Sequence, residues 1–336
     1  MKYDSNVIKS TAAAPRWQDL IKKYQTPENR RSIWEIVTSV TPYIALWFLM
    51  YYSLSVSYWL TLLLALPAAG FVMRTFIIQH DCGHGSFFKS SRANEVVGTI
   101  CGFLTMVAYH QWQHEHAVHH ATSGDLDRRG VGDISTLTVK EYQALSLWGR
   151  FQYRIYRNML VLLLIGPFYT FVFAPRFARK DSRPRARNNI RLTNAALLAI
   201  YGSLCLTIGV KAFFMIWLPV TMFSGAIGIW LFYVQHQYES TYWRGGEEWD
   251  YVTSAVMGSS FFKLPRVLQW FSGNIGFHHI HHLSPKIPNY KLQECHEATP
   301  LFQEAKVLGM RESLKSAWLR LWDEEQQKMV GFSAIK

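Results

Sequence analysis

Of the 13 histidines in this 336-residue chain, eight fall in three clusters whose spacing suits metal binding. On a helix, residues three and four apart share a face, so each cluster aims its imidazoles in one direction. His80 and His84 form one such pair, and His116, His119 and His120 form the second set. His278, His281 and His282 form the third. Eight imidazoles are too many for one ion and suit two. His279 lies between ligand positions and should point the other way, as should His114, two residues before His116. His110 and His296 lack cluster spacing and read as supporting or surface residues. Imidazole with no thiolate and few carboxylates suits iron, zinc or copper, so ligand type alone does not choose the metal. A zinc-protease motif is excluded, because Val118 stands where H-E-x-x-H after His114-Glu115 requires histidine.

Something must carry these clusters to one place, and the apolar runs beside them are the obvious carriers. From Ile36 to Met73 there is no charged residue. As helix that is roughly 57 Å, about two crossings of a ~30 Å hydrocarbon core. A turn is expected at Ser55-Val56-Ser57, giving spans over 36–54 and 57–79. A second pair follows over 192–210 and 212–235, divided at Lys211. The runs 96–109 and 159–175 are short for spanning and are expected to lie in the membrane plane or to re-enter it. The end of the chain reads as an amphipathic helix, with Leu314, Trp318, Leu321 and Trp322 at i, i+4, i+7 and i+8.

Charge fixes the expected orientation. The N-terminal segment, residues 1–35, carries Lys2, Lys9, Arg16, Lys22, Lys23, Arg30 and Arg31 and should stay cytoplasmic. Two crossings then return His80 and His84 to that side. The stretch 176–191 holds Arg176, Arg179, Lys180, Arg183, Arg185, Arg187 and Arg191 against the single acid Asp181, so it too should be cytoplasmic. Four spans place every cluster at one face, with cytoplasmic caps over 80–158 and 236–336. The same parity puts His236, at the end of the last span, level with the clusters and makes it a ninth ligand candidate.

Length alone allows one large domain or two ordinary ones, and the run of spans and clusters is read as a single membrane domain over 36–336. The chain is 49% hydrophobic, with 13 Trp, 17 Tyr and 21 Phe, as expected at lipid–water boundaries. Its net charge of +12 does not imply nucleic acid, since the cations gather at the ends of apolar segments, where anionic headgroups lie. Four unpaired-looking cysteines point to a reducing compartment, and no cleavable signal peptide is expected at the polar N-terminus.

The clusters in their setting resemble the histidine boxes of the membrane fatty acid desaturases. The strings His80-Asp81-Cys82-Gly83-His84, Trp112 through His120, and Gly273 through His282 with Ile287-Pro288-Asn289-Tyr290 carry the likeness, which is nearest to bacterial acyl-lipid desaturases acting on phospholipids. The resemblance implies an all-α integral membrane fold of four spans under a helical cytoplasmic cap, with an acyl tunnel below the metals. It implies two iron ions (Fe2+), O2 as co-substrate, and a cis double bond as product in phospholipid acyl chains. The ligands would be His80, His84, His116, His119, His120, His236, His278, His281 and His282. Asp81, Glu115, Asp125, Asp127, Asp133 and Asp250 are candidates to support them. Relatives acting on acyl-CoA carry an asparagine one turn before the histidine at 236, where this chain has Phe232. No His-Pro-Gly-Gly haem signature occurs, so a separate donor such as ferredoxin is implied. Hydroxylases, mono-oxygenases and carotenoid ketolases share the box architecture and form the alternative reading. A metal sensor or carrier is the reading from another class, but transporters set their sites near the bilayer midplane.

Overall fold

The computed structural model describes residues 17–303 and 305–335. Of the basic N-terminal segment, Lys2, Lys9 and Arg16 lie outside the described residues. Four helices are long and apolar enough to cross a membrane. The first two, α1 (Asn29–Ser53) and α2 (Tyr58–His84), form a hairpin whose turn falls where the sequence places it. At that turn Ser53 Oγ lies 2.7 Å from Thr61 Oγ1, a buried polar contact that closes the two helices on each other.

α2 runs 27 residues, about 40 Å, so its last turns rise beyond a ~30 Å hydrocarbon core. It stops immediately after the first box. Gly85 takes φ +68°, the Gly85 N–H donates to the Cys82 carbonyl, and the Ser86 N–H donates to the Asp81 carbonyl, both at 3.0 Å. This left-handed cap needs a residue without a Cβ penalty and leaves His84 as the final helical residue.

Next come α3 (Ser91–Thr105) and α4 (Tyr109–Thr122). α3 is too short to span and is tied to the end of α2: Thr105 Oγ1 donates to Gln79 Oε1 at 2.6 Å, and Gln79 Nε2 donates to the Val107 carbonyl at 3.2 Å. The Tyr109 hydroxyl donates to the Cys82 carbonyl at 2.8 Å, fixing the start of α4 against the first box.

After α5 (Leu147–Tyr156) the chain bends by 59° into the segment Val161–Arg176, which adopts wide π-helical turns over Val161–Ile165 and Phe168–Phe173. Counted with α5 as one unit it would supply a fifth crossing. It contacts residues 225–237 along its length and Met106 at its end. At the entry, the fully buried Arg157 donates to Gln237 Oε1 at 2.8 Å and to the Tyr233 hydroxyl at 3.1 Å. Midway, Pro167 packs so closely on Gly225 that a Cβ there would stand 2.5 Å away. Gly225 lies 11 residues before His236, about 16 Å deeper along the helix. At the exit, Arg176 donates to the Met106 carbonyl, back beside the end of α2.

The second hairpin comprises α6 (Pro184–Ile208) and α7 (Val210–His236). Its break lies at Gly209, not at the expected Lys211, which sits in the first turn of α7. Gly209 adopts φ +88°, a conformation that residues with a Cβ avoid, so backbone freedom and not the charge sets the corner.

The expected amphipathic helix at the C-terminus is also corrected. A short helix covers Met310–Ser316, and Leu321–Asp323 is a strand between Leu137–Thr138 and Lys328–Val330. Leu314 and Trp318 are exposed, whereas Leu321 and Trp322 are fully buried. The helical spacing crosses the end of the helix by coincidence. Leu321 packs with Tyr142 and Tyr153 and Trp322 with Trp243 and Met329, so burial on both faces of the strand decides the conformation.

Candidate metal centre

Four elements deliver nine histidines to one place. α2 ends with His80 and His84, α4 carries His116, His119 and His120, and α7 ends with His236. The short α8 (His278–Leu283) supplies His278, His281 and His282. They form two groups, one of His80, His84, His116, His120 and His281 and one of His119, His236, His278 and His282. Within each group one ring nitrogen per residue lies within 4.8 Å of all the others. The i, i+4 pairs 80/84, 116/120 and 278/282 each stay together, as one helical face requires. His119 and His281 cross to the other group from their cluster partners, which holds the two groups side by side.

The nitrogens are arranged as ligands would be. Nε2 of His120 lies 3.1 Å from Nε2 of His116 and 2.9 Å from Nε2 of His281. Nε2 of His236 lies 2.9 Å from Nε2 of His278. Two nitrogens about 2.1 Å from one ion at a right angle would be about 3 Å apart. Nε2 of His84, His119 and His282 is buried with no hydrogen-bond partner among the described residues. Buried polar atoms are normally satisfied, so this concentration of orphans fits a pair of cations. Burial holds His116, His120, His278, His281 and His282 well below the usual imidazole pKa, and the neighbouring imidazoles add to the effect. They are therefore neutral, the form that binds metal.

The rear nitrogens are held in turn. His80 Nδ1 is 3.0 Å from Asp81 Oδ1, and Asp81 Oδ2 accepts from the backbone N–H and side-chain amide of Asn289 at 2.7 and 2.9 Å. His119 Nδ1 contacts Asp133, and His236 Nδ1 faces the Gly258 carbonyl at 3.1 Å. Such partners fix which nitrogen is left to face a metal ion. Four other expected carboxylates are engaged elsewhere. Glu115 pairs with Arg179 and accepts from Gln111 Nε2, and Asp125 pairs with Arg128. Asp127 accepts from the Gly246 N–H, and Asp250 caps the helix Tyr251–Met257. Each settles a loop or helix end of the cap and supports no ligand directly.

His279 is buried but faces Phe302 and His296, and His114 is exposed, both as their positions on the helix predict. His110 lies 3.4 Å from Glu95 at the outer side.

Sequence reasoning missed several residues around the centre. The Trp112 ring stacks on His116 with centroids 4.7 Å apart and an interplanar angle of 17°. It covers Gly83, where a Cβ would come within 2.8 Å of the ring, so the glycine between His80 and His84 makes room for it. Phe76 meets Trp112 at 5.4 Å, and Phe171 of the segment Phe168–Phe173 meets Phe76 at 6.5 Å. Phe232 lies 5.1 Å from both His119 and His236. Phe76 and Phe232 are each one turn before a ligand candidate, so their rings lie on the membrane side of the two groups. Inside the first hairpin, the buried Arg74 pairs with Glu35 of α1 at 3.2 Å and stacks on Trp270 at 3.9 Å. Asn289 interacts with Glu35 as well as Asp81, so this pair is wired to His80. Trp112 at the head of the second box, Phe232 one turn before His236 and Asn289 beside the third box were the sequence signals; Phe76, Phe171 and Arg74 had none.

Comparison with known proteins points one way. The family model described as fatty acid desaturase matches residues 57–313. A fatty acid desaturase of Bacillus subtilis is 48% identical over 316 residues, covering 94% of this chain and 90% of that protein. The sn-2 acyl-lipid omega-3 desaturase (ferredoxin), chloroplastic, of Arabidopsis thaliana is 30% identical over 250 residues. That match covers 66% of this chain and 51% of the relative. The sn-1 acyl-lipid omega-3 desaturase (ferredoxin) of Synechocystis sp. is 28% identical over 240 residues, covering 66% of this chain and 62% of the relative.

Proposed function

The chain belongs to the fatty acid desaturase family, and from that premise we propose that it introduces a cis double bond into the acyl chains of membrane phospholipids, using O2, two iron ions and electrons from a ferredoxin-type donor. The observation that carries the proposal is the division of nine histidines, seven of them buried and none exposed, into groups of five and four, each able to surround one ion. The names of the Arabidopsis and Synechocystis relatives support the acyl-lipid substrate and the donor.

The chemistry explains why such a centre is needed. Adjacent methylenes are unactivated, no side chain can remove their hydrogens, and iron with O2 supplies the oxidant. Two hydrogens from the chain, two electrons and two protons convert O2 to two waters as the double bond forms. The protein's own residues prepare the site for that exchange. Asp81, Asp133 and the Gly258 carbonyl orient His80, His119 and His236 so that Nε2 of each faces inward. Phe76, Trp112 and Phe232 offer apolar surface on the membrane side, where an acyl chain can lie without water.

In this reading residues 36–336 act as one domain of the cell membrane, with the metal centre and the basic stretch 176–191 on the cytoplasmic side. The support is the positive-inside bias together with the shared end of α2 and α7. A cysteine introduced as Arg183→Cys should react with an impermeant reagent only from the cytoplasmic side. Labelling only from outside would mean that 159–175 crosses the bilayer.

The activity itself is tested by expressing the chain in a host that lacks desaturases and mapping double bonds in its phospholipids. New cis double bonds that depend on O2 are expected. Hydroxylated chains would assign the alternative oxygenase outcome, and unchanged lipids in cells that contain the folded protein would contradict the proposal.

A further inference from the structure

The strongest charge outside the metal centre lies on residues 176–191. Arg179, Lys180, Arg183, Arg185, Arg187 and Arg191 are all exposed there. The stretch does not hang free. Ser182 Oγ donates to Gln111 Oε1 at 2.7 Å, and Arg179 pairs with Glu115 at 3.3 Å. The His110 N–H donates to Asn189 Oδ1 at 3.1 Å. All three contacts fall on α4, whose other side presents His116, His119 and His120. A helix with its side chains is about 10 Å across, so this basic shelf is separated from the ligand candidates by about one helix thickness. The half-buried Trp112, stacked on His116, lies within that thickness.

We propose that the shelf centred on Arg179, Lys180 and Arg183 is the docking surface for an acidic electron-carrier protein. This rests on the desaturase reading, in which two electrons per turnover must come from a separate donor. Electron tunnelling weakens steeply with distance, so the donor's redox group has to approach where little protein intervenes. In that reading the membrane covers the floor of the centre, and α4 is a thin wall whose outer side carries the exposed shelf. Positive charge there steers an anionic partner and sets its orientation. Anionic lipid headgroups are the competing occupant. The cations are fastened to a helix of the cap, however, and the neighbouring flank that would meet lipid displays the exposed Phe173, Phe177 and Leu192.

The test uses the full-length enzyme in neutral-lipid nanodiscs and, in parallel, in anionic-lipid nanodiscs, with a bacterial ferredoxin of net negative charge as one reductant and photoreduced deazaflavin, a small molecule that needs no docking, as the other. The Lys180→Glu/Arg183→Glu variant should raise KM for ferredoxin about tenfold or more at low ionic strength and flatten its salt dependence, with kcat nearly unchanged. Its rate with deazaflavin should match that of the unaltered enzyme. A matched reversal elsewhere on the cap, Lys140→Glu/Lys315→Glu, should leave both rates unchanged. An unchanged ferredoxin KM in the shelf variant would overturn the proposal. So would equal losses with both reductants, or a defect confined to anionic bilayers, which would assign the shelf to headgroups. Absence of desaturation by the unaltered enzyme with either reductant would instead contradict the proposed function.

Discussion

Replacing His119 by alanine is expected to reduce desaturation to background while the protein still accumulates in the membrane. His119 belongs to the group of four, where its loss leaves three imidazoles. Its ring stands 4.9 Å from that of His236 and 5.0 Å from that of His282, and its Nε2 is unpartnered. No other side chain in the group can take its place. The same outcome is expected for His282, which spans the contact between the groups by stacking on His120 at 4.2 Å. His110→Ala and His279→Ala should retain substantial activity per molecule, since neither ring joins a group. His279 is fully buried beside Phe302, so its removal should lower yield more than turnover. The measurement is new double bonds per unit of membrane-embedded protein. A fully active His119→Ala or His282→Ala variant would remove the two-metal account.

The second large effect is expected one step behind the ligands. Asp133→Ala frees Nδ1 of His119, so the ring can rotate or change tautomer, and iron affinity and activity should each fall about 10- to 100-fold. Asp81→Ala should behave alike through His80, with an added cost because Asn289 loses both of its bonds to the same carboxylate. Asp250→Ala is the contrast. It removes a helix cap worth about 1 kcal/mol and should leave iron affinity unchanged. Competition with a chelator of known strength reports the affinities. Equal losses for Asp133→Ala and Asp250→Ala would mean that the carboxylates act through cap stability alone.

How much of this was legible beforehand follows from what each signal depends on. Long uncharged runs and i, i+4 histidines are local patterns, and the two hairpins and the convergence of the boxes follow from them. Arg74 marked the end of the first uncharged run, yet it lies buried within α2, because Glu35, Ser39 and Trp270 from other elements surround its guanidinium. Nothing local announces such partners. The same applies to the carboxylates. Asp81 and Asp133 look no different in sequence from Asp125 and Asp250, and only tertiary placement decides which meets an imidazole. The second corner falls at Gly209 and not at Lys211, because left-handed backbone freedom sets a helix break and a charge can sit in the first turn beyond it. At the C-terminus a helical period spread over a helix end and a strand, and periodicity cannot distinguish that case. The sharing of His119 and His281 across the two groups depends on how four helix ends meet, which no single cluster contains.

Each of the two histidine groups is expected to hold one iron ion. The direct measurement is elemental analysis of enzyme purified in lipid from iron-supplied cells, paired with desaturation assays after metal removal and restoration. About two irons per chain are expected, with activity lost on chelation and regained with Fe2+ but not with Zn2+, even though zinc binds such sites more tightly in the usual order. A zinc-loaded, iron-free sample that desaturates at the full rate, or full activity at one iron per chain, would contradict the account.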